Sequence, residues 1–285
     1  MIEILSNIAS ISRIIILVLT VIIIITNTNT LILGPTPTLA LALPLEEPIK
    51  KINFAGYTWI VKNKKKHPAG PGGNFFSDEK DSVWVDNKGW LHLTIKLKNG
   101  RWYCSEIYSE KVLGHGTYLF KFAPHFTNWD KNLVLGMFTW DGVSDTSTIN
   151  SNREIDIEIS TWGVESTLNS LYTLQPTDYR GERNGISFSL DTNNKEDIYH
   201  GLNWEKNQIL FFSFYDYDGY NPQIGRPIQN KIQKEWRYLG PLNPPANDRQ
   251  QIRINFWLFK GIPPSDGLEK EIIVKDFFFI PIRAI

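Results

Sequence analysis

The hexapeptide Glu154-Ile155-Asp156-Ile157-Glu158-Ile159 alternates three carboxylates with three isoleucines. Period two is the period of a β-strand, so the acids share one face and the isoleucines the other. The isoleucine face requires a core. The opposite face carries three like charges in one row, which a strand normally avoids. A strand that tolerates this uses the acids. Two carboxyl groups flanking a bond are what glycoside hydrolysis requires, one as nucleophile and one as proton donor. An ordinary solvent-facing acidic strand is the competing reading of the hexapeptide alone.

Geometry adds a condition. If the pair acts with retention of anomeric configuration, its carboxyls must stand only ~5–5.5 Å apart. On a flat strand, residues i and i+4 stand about 13 Å apart at ~3.3 Å rise per residue. The motif therefore predicts a curved strand on a concave sheet, with Glu154 and Glu158 leaning together. Mutual repulsion in such a row is expected to raise at least one pKa, so that one carboxyl keeps its proton while another is ionised.

The elements that must position this row are strands. Gly89–Leu97 and Thr117–Phe122 alternate cleanly. Ser82–Asp86, Leu133–Trp140, Arg153–Ser160, Thr167–Gln175, Ile186–Leu190, Gln208–Tyr217, Gln251–Phe259 and Ile272–Ile280 are further candidates. Turn signals separate them, including Asn87-Lys88-Gly89, Asn99-Gly100, Asp141-Gly142, Asp218-Gly219 and Gly261–Pro264. Many strands without helices predict an all-β sandwich or barrel. Two polar stretches, Asp141–Arg153 and Tyr220–Asp248, read as long loops.

With these residues in view, the chain resembles glycoside hydrolase family 16, the laminarinase- and lichenase-like β-jelly-roll glycanases. Glu154-Ile155-Asp156-Ile157-Glu158 fits that family's E-x-D-x-E signature. Cys104–Ser109 with Gly114–Tyr118 resembles its strand-turn-strand ahead of the catalytic segment. Leu133–Trp140 resembles the strand before the catalytic hairpin. Leu202-Asn203-Trp204 with Ile209–Gly219, and Ile254–Leu258, resemble two later blocks. The blocks come in the family's order over roughly residues 52–279.

The resemblance implies a concanavalin A-like jelly roll of two antiparallel sheets, with a glycan cleft on the concave face. It implies a retaining β-glycanase with Glu154 as nucleophile, Glu158 as acid/base and Asp156 hydrogen-bonding between them. The expected substrate is a β-1,3 or β-1,3-1,4 glucan. The resemblance also puts Glu106 at a sugar-binding position. Tyr108 stands where the family's lichenases carry Arg, and Asn152-Arg153 replaces their Trp-Asp. Arg153 either tunes substrate choice or pairs with a neighbouring acid. Trp140 and Trp162 are candidates to stack on sugar rings. Asn169 and Gln175 share one face of the next strand and are candidates to hydrogen-bond sugar hydroxyls. No metal or cofactor is expected; a structural Ca²⁺ away from the cleft rests on the resemblance alone. The same residues also suit a transglycosylase, or a glycan-binding surface protein without activity.

Composition narrows the partners. Thirty Lys plus Arg balance thirty Asp plus Glu in 285 residues. A neutral chain offers no electrostatic reason for a nucleic-acid partner, and a monomer acting on a polysaccharide is expected. The one cysteine, Cys104, forms no intrachain disulfide. Five scattered histidines show no metal-ligand spacing. Residues 14–45 carry no charge and begin with a run of Ile, Leu and Val behind Arg13. Residues 1–45 therefore read as a signal peptide or membrane anchor plus linker, with Ala40-Leu41-Ala42 as a cleavage signal, and 46–285 as one domain. An extracellular or cell-surface location follows, with membrane contact only through an uncleaved segment.

Overall fold

The structure is a computed structural model that describes residues 48–124, 129–191, 195–216 and 232–282. The apolar N-terminal segment lies outside the described residues. Among the described residues no helix is long and apolar enough to cross a membrane.

Among the described residues, seventeen strands follow in chain order. The first nine are β1 Lys51–Phe54, β2 Tyr57–Val61, β3 Lys64–Ala69, β4 Asn74–Phe76, β5 Val83–Val85, β6 Leu91–Lys98, β7 Arg101–Ser109, β8 Gly116–Phe122 and β9 Leu133–Asp141. Then come β10 Ile155–Ile159, β11 Ser170–Tyr179, β12 Glu182–Phe188, β13 Ile198–Glu205, β14 Gln208–Tyr215, β15 Ile232–Tyr238, β16 Gln250–Leu258 and β17 Lys270–Pro281.

They form the two antiparallel sheets of a jelly roll. One runs β1-β2-β7-β16-β9-β10-β11-β12. The other runs β5-β6-β17-β8-β13-β14-β15. The hairpin of β6 and β7 crosses between them, and β4 adds a short parallel pairing to β7. The acidic strand β10 is therefore central, with two strands on one side and five on the other.

Alternation determines what each sheet buries. Ile155, Ile157 and Ile159 are fully buried, as are Met137 and Leu135 on β9 and Ile254 on β16. Each such side chain contributes about 1.5–3 kcal/mol on leaving water. Aromatic rings bridge the sheets: Tyr172 of β11 stacks on Phe211 of β14 at 5.1 Å, and Trp59 of β2 meets Phe277 of β17 edge-on at 5.3 Å. The apolar half of the hexapeptide thus fixes which way the acids face.

The second polar stretch contains a strand. β15 lies within the segment read as a loop, and its residues alternate between more and less buried positions along β14. Cys104 is fully buried on β7. Its thiol donates to Asn74 Oδ1 at 3.3 Å, and burial pushes its pKa up to about 12, so it is an inert packing group.

Candidate active site

Register builds the site row by row. Glu158 stands beside Gly136 of β9, which pairs Asn255 of β16, which pairs Glu106 of β7. The next row runs Asp156, Phe138, Arg253, Tyr108. Side chains at paired positions share a face. A cleft of about 440 Å³ opens on this face, lined by Glu154, Asp156 and Glu158, by Phe138 and Trp140, by Glu106, Lys62 and Arg253, and by Asn255 and Trp257, with Gly70 and Pro71 at its rim. All three acids of the hexapeptide, together with Glu106 and Trp140, meet there.

Glycines make two of these approaches possible. A Cβ at Gly136 would stand 2.4 Å from Asn255 Oδ1, so only glycine leaves the Asn255 carboxamide its place beside Glu158. Gly72 has φ +67°, and a Cβ there would lie 2.8 Å from the Trp257 ring, so the loop after β3 closes over Trp257 only with glycine.

The backbone entering the acidic strand is clamped. Asn150 accepts from the Glu154 N–H and donates to the Glu154 carbonyl, both at 2.8 Å. Thr139 donates to the Arg153 carbonyl at 2.7 Å and accepts from the Ile155 N–H at 3.1 Å. Arg153 itself has φ +52° and is buried. Its guanidinium pairs with Asp141 at 2.9 Å and with Asp145, so it ties the 141–153 loop together and does not line the cleft. Asp141 is fully buried, and its other side-chain partners are Asn247 and Arg249, with the Val143 N–H also donating to it at 3.1 Å. Arg153→Met should therefore cost about 3 kcal/mol of stability, the low end for breaking a buried pair because two partners remain. Urea unfolding measures this, and a loss below about 1 kcal/mol would contradict the buried-pair account.

The carboxyl row is held close to neutral. Burial is the main cause that pushes Glu158 up to about 8, with the Glu154 charge second. Burial likewise lifts Glu154 to about 7, opposed by a hydrogen bond from Asp156 and by the Arg253 charge. Asp156 is raised well above its usual range by burial and then by both glutamates. Gln175 Nε2 donates to Asp156 Oδ2 at 3.2 Å, leaving the Asp156 proton for Glu154. Glu154 therefore ionises before Glu158, at about 7 against about 8. Desolvation thus outweighs the repulsion expected from the spacing.

Three candidates have other surroundings. Gln175 orients Asp156. Asn169 is buried just before β11 and exchanges hydrogen bonds with the Leu190 backbone, donating at 3.0 Å and accepting at 2.9 Å, so its amide is spent and it does not line the cleft. Trp162 packs edge-on against Trp257 and Phe259 and does not line the cleft. Sequence reasoning did not single out Lys62, Arg253, Asn255 or Trp257. The signal existed for the β16 residues: Arg253, Asn255 and Trp257 alternate with Ile252, Ile254 and Phe256, as the acids alternate with isoleucines.

No group of three or more metal-ligating side chains occurs among the described residues. His92 stacks on Trp84, and His200 bonds Ser213 inside the core.

The fold and the carboxylate row together define a β-jelly-roll scaffold with a carboxyl-floored cleft. Solved structures share that scaffold. A beta-glucanase from Bacillus licheniformis matches with TM-score 0.54 and 15% identity over 81% of this chain and 95% of that one. A glycoside hydrolase family 16 endo-glucanase from Bacteroides ovatus matches with TM-score 0.54 and 14% identity over 78% and 94%. A laminarinase from Flavobacterium sp. UMI-01 matches with TM-score 0.52 and 16% identity over 77% and 90%. The chain therefore has the fold of family 16 glycoside hydrolases. No family model matches the sequence, and no curated protein matches it.

Proposed function

We infer that this protein is an exported, retaining endo-β-glycanase that hydrolyses a β-linked polysaccharide by double displacement. The observation that carries the reading is the carboxyl row on the cleft floor, with Glu158 protonated and Glu154 bearing the charge near neutral pH. In the first step Glu154 attacks the anomeric carbon while Glu158 gives its proton to the departing glycosidic oxygen. The C–O bond breaks and a glycosyl ester forms on Glu154. In the second step Glu158, now a carboxylate, takes a proton from water. The water oxygen attacks the anomeric carbon and frees Glu154. Asp156 donates to Glu154 and steadies its charge as the ester breaks.

Two features support internal cleavage. The cleft extends from the acids across β9, β16 and β7. On the other side the same face continues into a depression lined by Leu171, Thr173, Gly185 and Ser187, which pair in rows with Glu158 and Asp156. A polymer crossing the strands thus finds surface on both sides of the scissile bond. The backbone proposed is a β-1,3 or mixed β-1,3-1,4 glucan, in keeping with the laminarinase and with a structurally similar lichenase described as a β-1,3-1,4-glucanase. Export rests on the uncharged run of residues 14–45.

Proton NMR of product as it forms tests the mechanism. The new reducing end should appear first as the β-anomer and then mutarotate. Initial release of the α-anomer would overturn double displacement.

A further inference from the structure

Glu154 stands just before β10, outside the strand that carries the other two acids. Pairing of β10 with β9 begins at Asp156 opposite Phe138, and pairing with β11 begins at Ile155 opposite Leu174. A chain that has run past its ladder loses the bonds that fix its position. At a reacting group that matters, since about 1 Å of misplacement can cost about 10²-fold in rate. On the β11 side one main-chain bond continues, from the Gln175 N–H to the Glu154 carbonyl at 3.3 Å. On the β9 side, side chains take over from the ladder. Thr139 holds Arg153 and Ile155, and residue 154 between them is held by Asn150.

The Asn150 carboxamide is a peptide group in miniature. Its oxygen accepts from the Glu154 N–H and its Nδ2 donates to the Glu154 carbonyl. These are the two bonds that a residue on a paired antiparallel strand would exchange with residue 154. Nδ2 also donates to the Leu242 carbonyl at 3.3 Å. Asn150 is buried, and its oxygen and both of its N–H groups are thus used. A carboxylate in its place would set an oxygen against two carbonyls. Leu242 is itself held: it is fully buried and its N–H donates to the Tyr238 hydroxyl at 3.1 Å. Beside it, Asn243 accepts from Trp204 Nε1 at 3.0 Å and donates to the Glu205 carbonyl at 2.9 Å, at the end of β13 in the other sheet. A line of bonds therefore runs from the far sheet through the 239–248 loop to the main chain of Glu154.

We propose that Asn150 is a positioning residue for the nucleophile: its carboxamide stands in for the missing strand partner of residue 154, and the 239–248 loop braces it from the other sheet. This rests on the glycanase reading for the role of Glu154. The carboxyl of residue 154 is aimed into the cleft by its own main chain. A tilt of that peptide swings the attacking oxygen away from the anomeric carbon, while the rest of the cleft still binds sugar. Loss of the clamp therefore lowers the rate of attack far more than affinity. The 239–248 loop does not line the cleft, so its effect on the reaction is indirect.

Kinetics of Asn150→Ala, assayed well below its melting temperature, test the proposal. On a polymer that the wild type cleaves, kcat should fall about 10²-fold while KM stays within about threefold. Asn169→Ala is the matched control, because Asn169 is another buried carboxamide bonded twice to main chain, at Leu190 and away from the cleft. It should melt lower yet keep kcat within about threefold of wild type. Should Asn150→Ala fail to fold, Asn150→Ser replaces it, since it too lacks the carboxamide. A second readout needs no turnover. NMR of isotope-labelled glutamate carboxyls, with Glu154 assigned by its loss in Glu154→Gln, follows the Glu154 titration, near about 7 in the wild type. Released from the buried row, that midpoint should fall toward 4.5 in Asn150→Ala. A kcat within about threefold of wild type in Asn150→Ala, an equal kcat loss in Asn169→Ala, or an unmoved Glu154 midpoint overturns the positioning role. A wild type that cleaves no polymer removes the glycanase reading, and the titration then decides the clamp on its own.

Discussion

Glu154→Gln should lower turnover of any polymer the wild type cleaves by on the order of 10⁴-fold or more. On the proposed mechanism, the substitution keeps size and shape but removes both the attacking oxygen anion and the charge that balances the oxocarbenium-like transition state. Nothing else in the cleft replaces it. Asp156 is fully engaged between Gln175 and Glu154, and its raised pKa keeps it protonated. The fold should survive, because the backbone of residue 154 is held by Asn150 through main-chain atoms that the variant retains.

Stability supplies an independent sign for the same variant. The folded-state pKa of Glu154, about 7, lies above its ordinary value of 4.5. A carboxyl whose pKa rises on folding binds its proton more tightly in the folded state. Its ionisation therefore erodes stability as pH climbs from about 4.5 through about 7. Gln cannot ionise, so the variant should melt at or above the wild-type temperature at pH 8. Its Tm relative to wild type should fall back as the pH is lowered toward 4.5. A variant that loses turnover and also melts well below wild type at pH 8 would mean that Glu154 is a structural group. Activity within tenfold of wild type in a folded variant would remove it from the mechanism.

How much of this was legible beforehand follows from what period two can encode. The hexapeptide announced its own orientation, since isoleucine and carboxylate differ so strongly that the buried face is unambiguous. β6, β8 and β9 were readable for the same reason. β15 was not, because its alternation of Ile232, Lys234, Trp236 and Tyr238 with polar residues sits among prolines and asparagines that signal a turn. Nor were β1 and β2, which are short and joined by a tight turn at Ala55-Gly56, both with positive φ. The Lys62–Glu106–Arg253 trio was hidden for a different reason. Lys62, Glu106 and Arg253 come from β7, β16 and the residue after β2, and only the order β2-β7-β16 brings them together. A sequence shows which face a residue takes within its strand but not which strand will lie beside it. Asn169 shows the opposite error: parity placed it on the cleft face, while its position just before β11 lets it turn to the Leu190 backbone instead.

Glu158→Gln should separate substrates by leaving group as no other single change would. With a polysaccharide the leaving oxygen is a poor one and needs the proton that the proposed mechanism assigns to Glu158, so kcat/KM should fall by about 10²–10⁴-fold. With an aryl glycoside that has an acidic phenol as leaving group, formation of the Glu154 ester needs no proton and should be nearly spared. Breakdown of the ester still needs a base to activate water, so the intermediate should accumulate as a burst of phenol. Azide, which attacks without a base, should restore turnover and yield the β-glycosyl azide. The pH profile gives the companion result. Wild-type kcat/KM should fall on the acid side as Glu154 is protonated below about 7, and on the alkaline side as Glu158 loses its proton above about 8. The optimum is therefore a narrow band between those values. In Glu158→Gln the alkaline limb should vanish for the aryl substrate while the acid limb remains, since only Glu154 still titrates in the step observed. An alkaline limb that persists unchanged would assign the acid to another group. A uniform loss on both substrates would mean that Glu158 binds sugar instead of moving a proton.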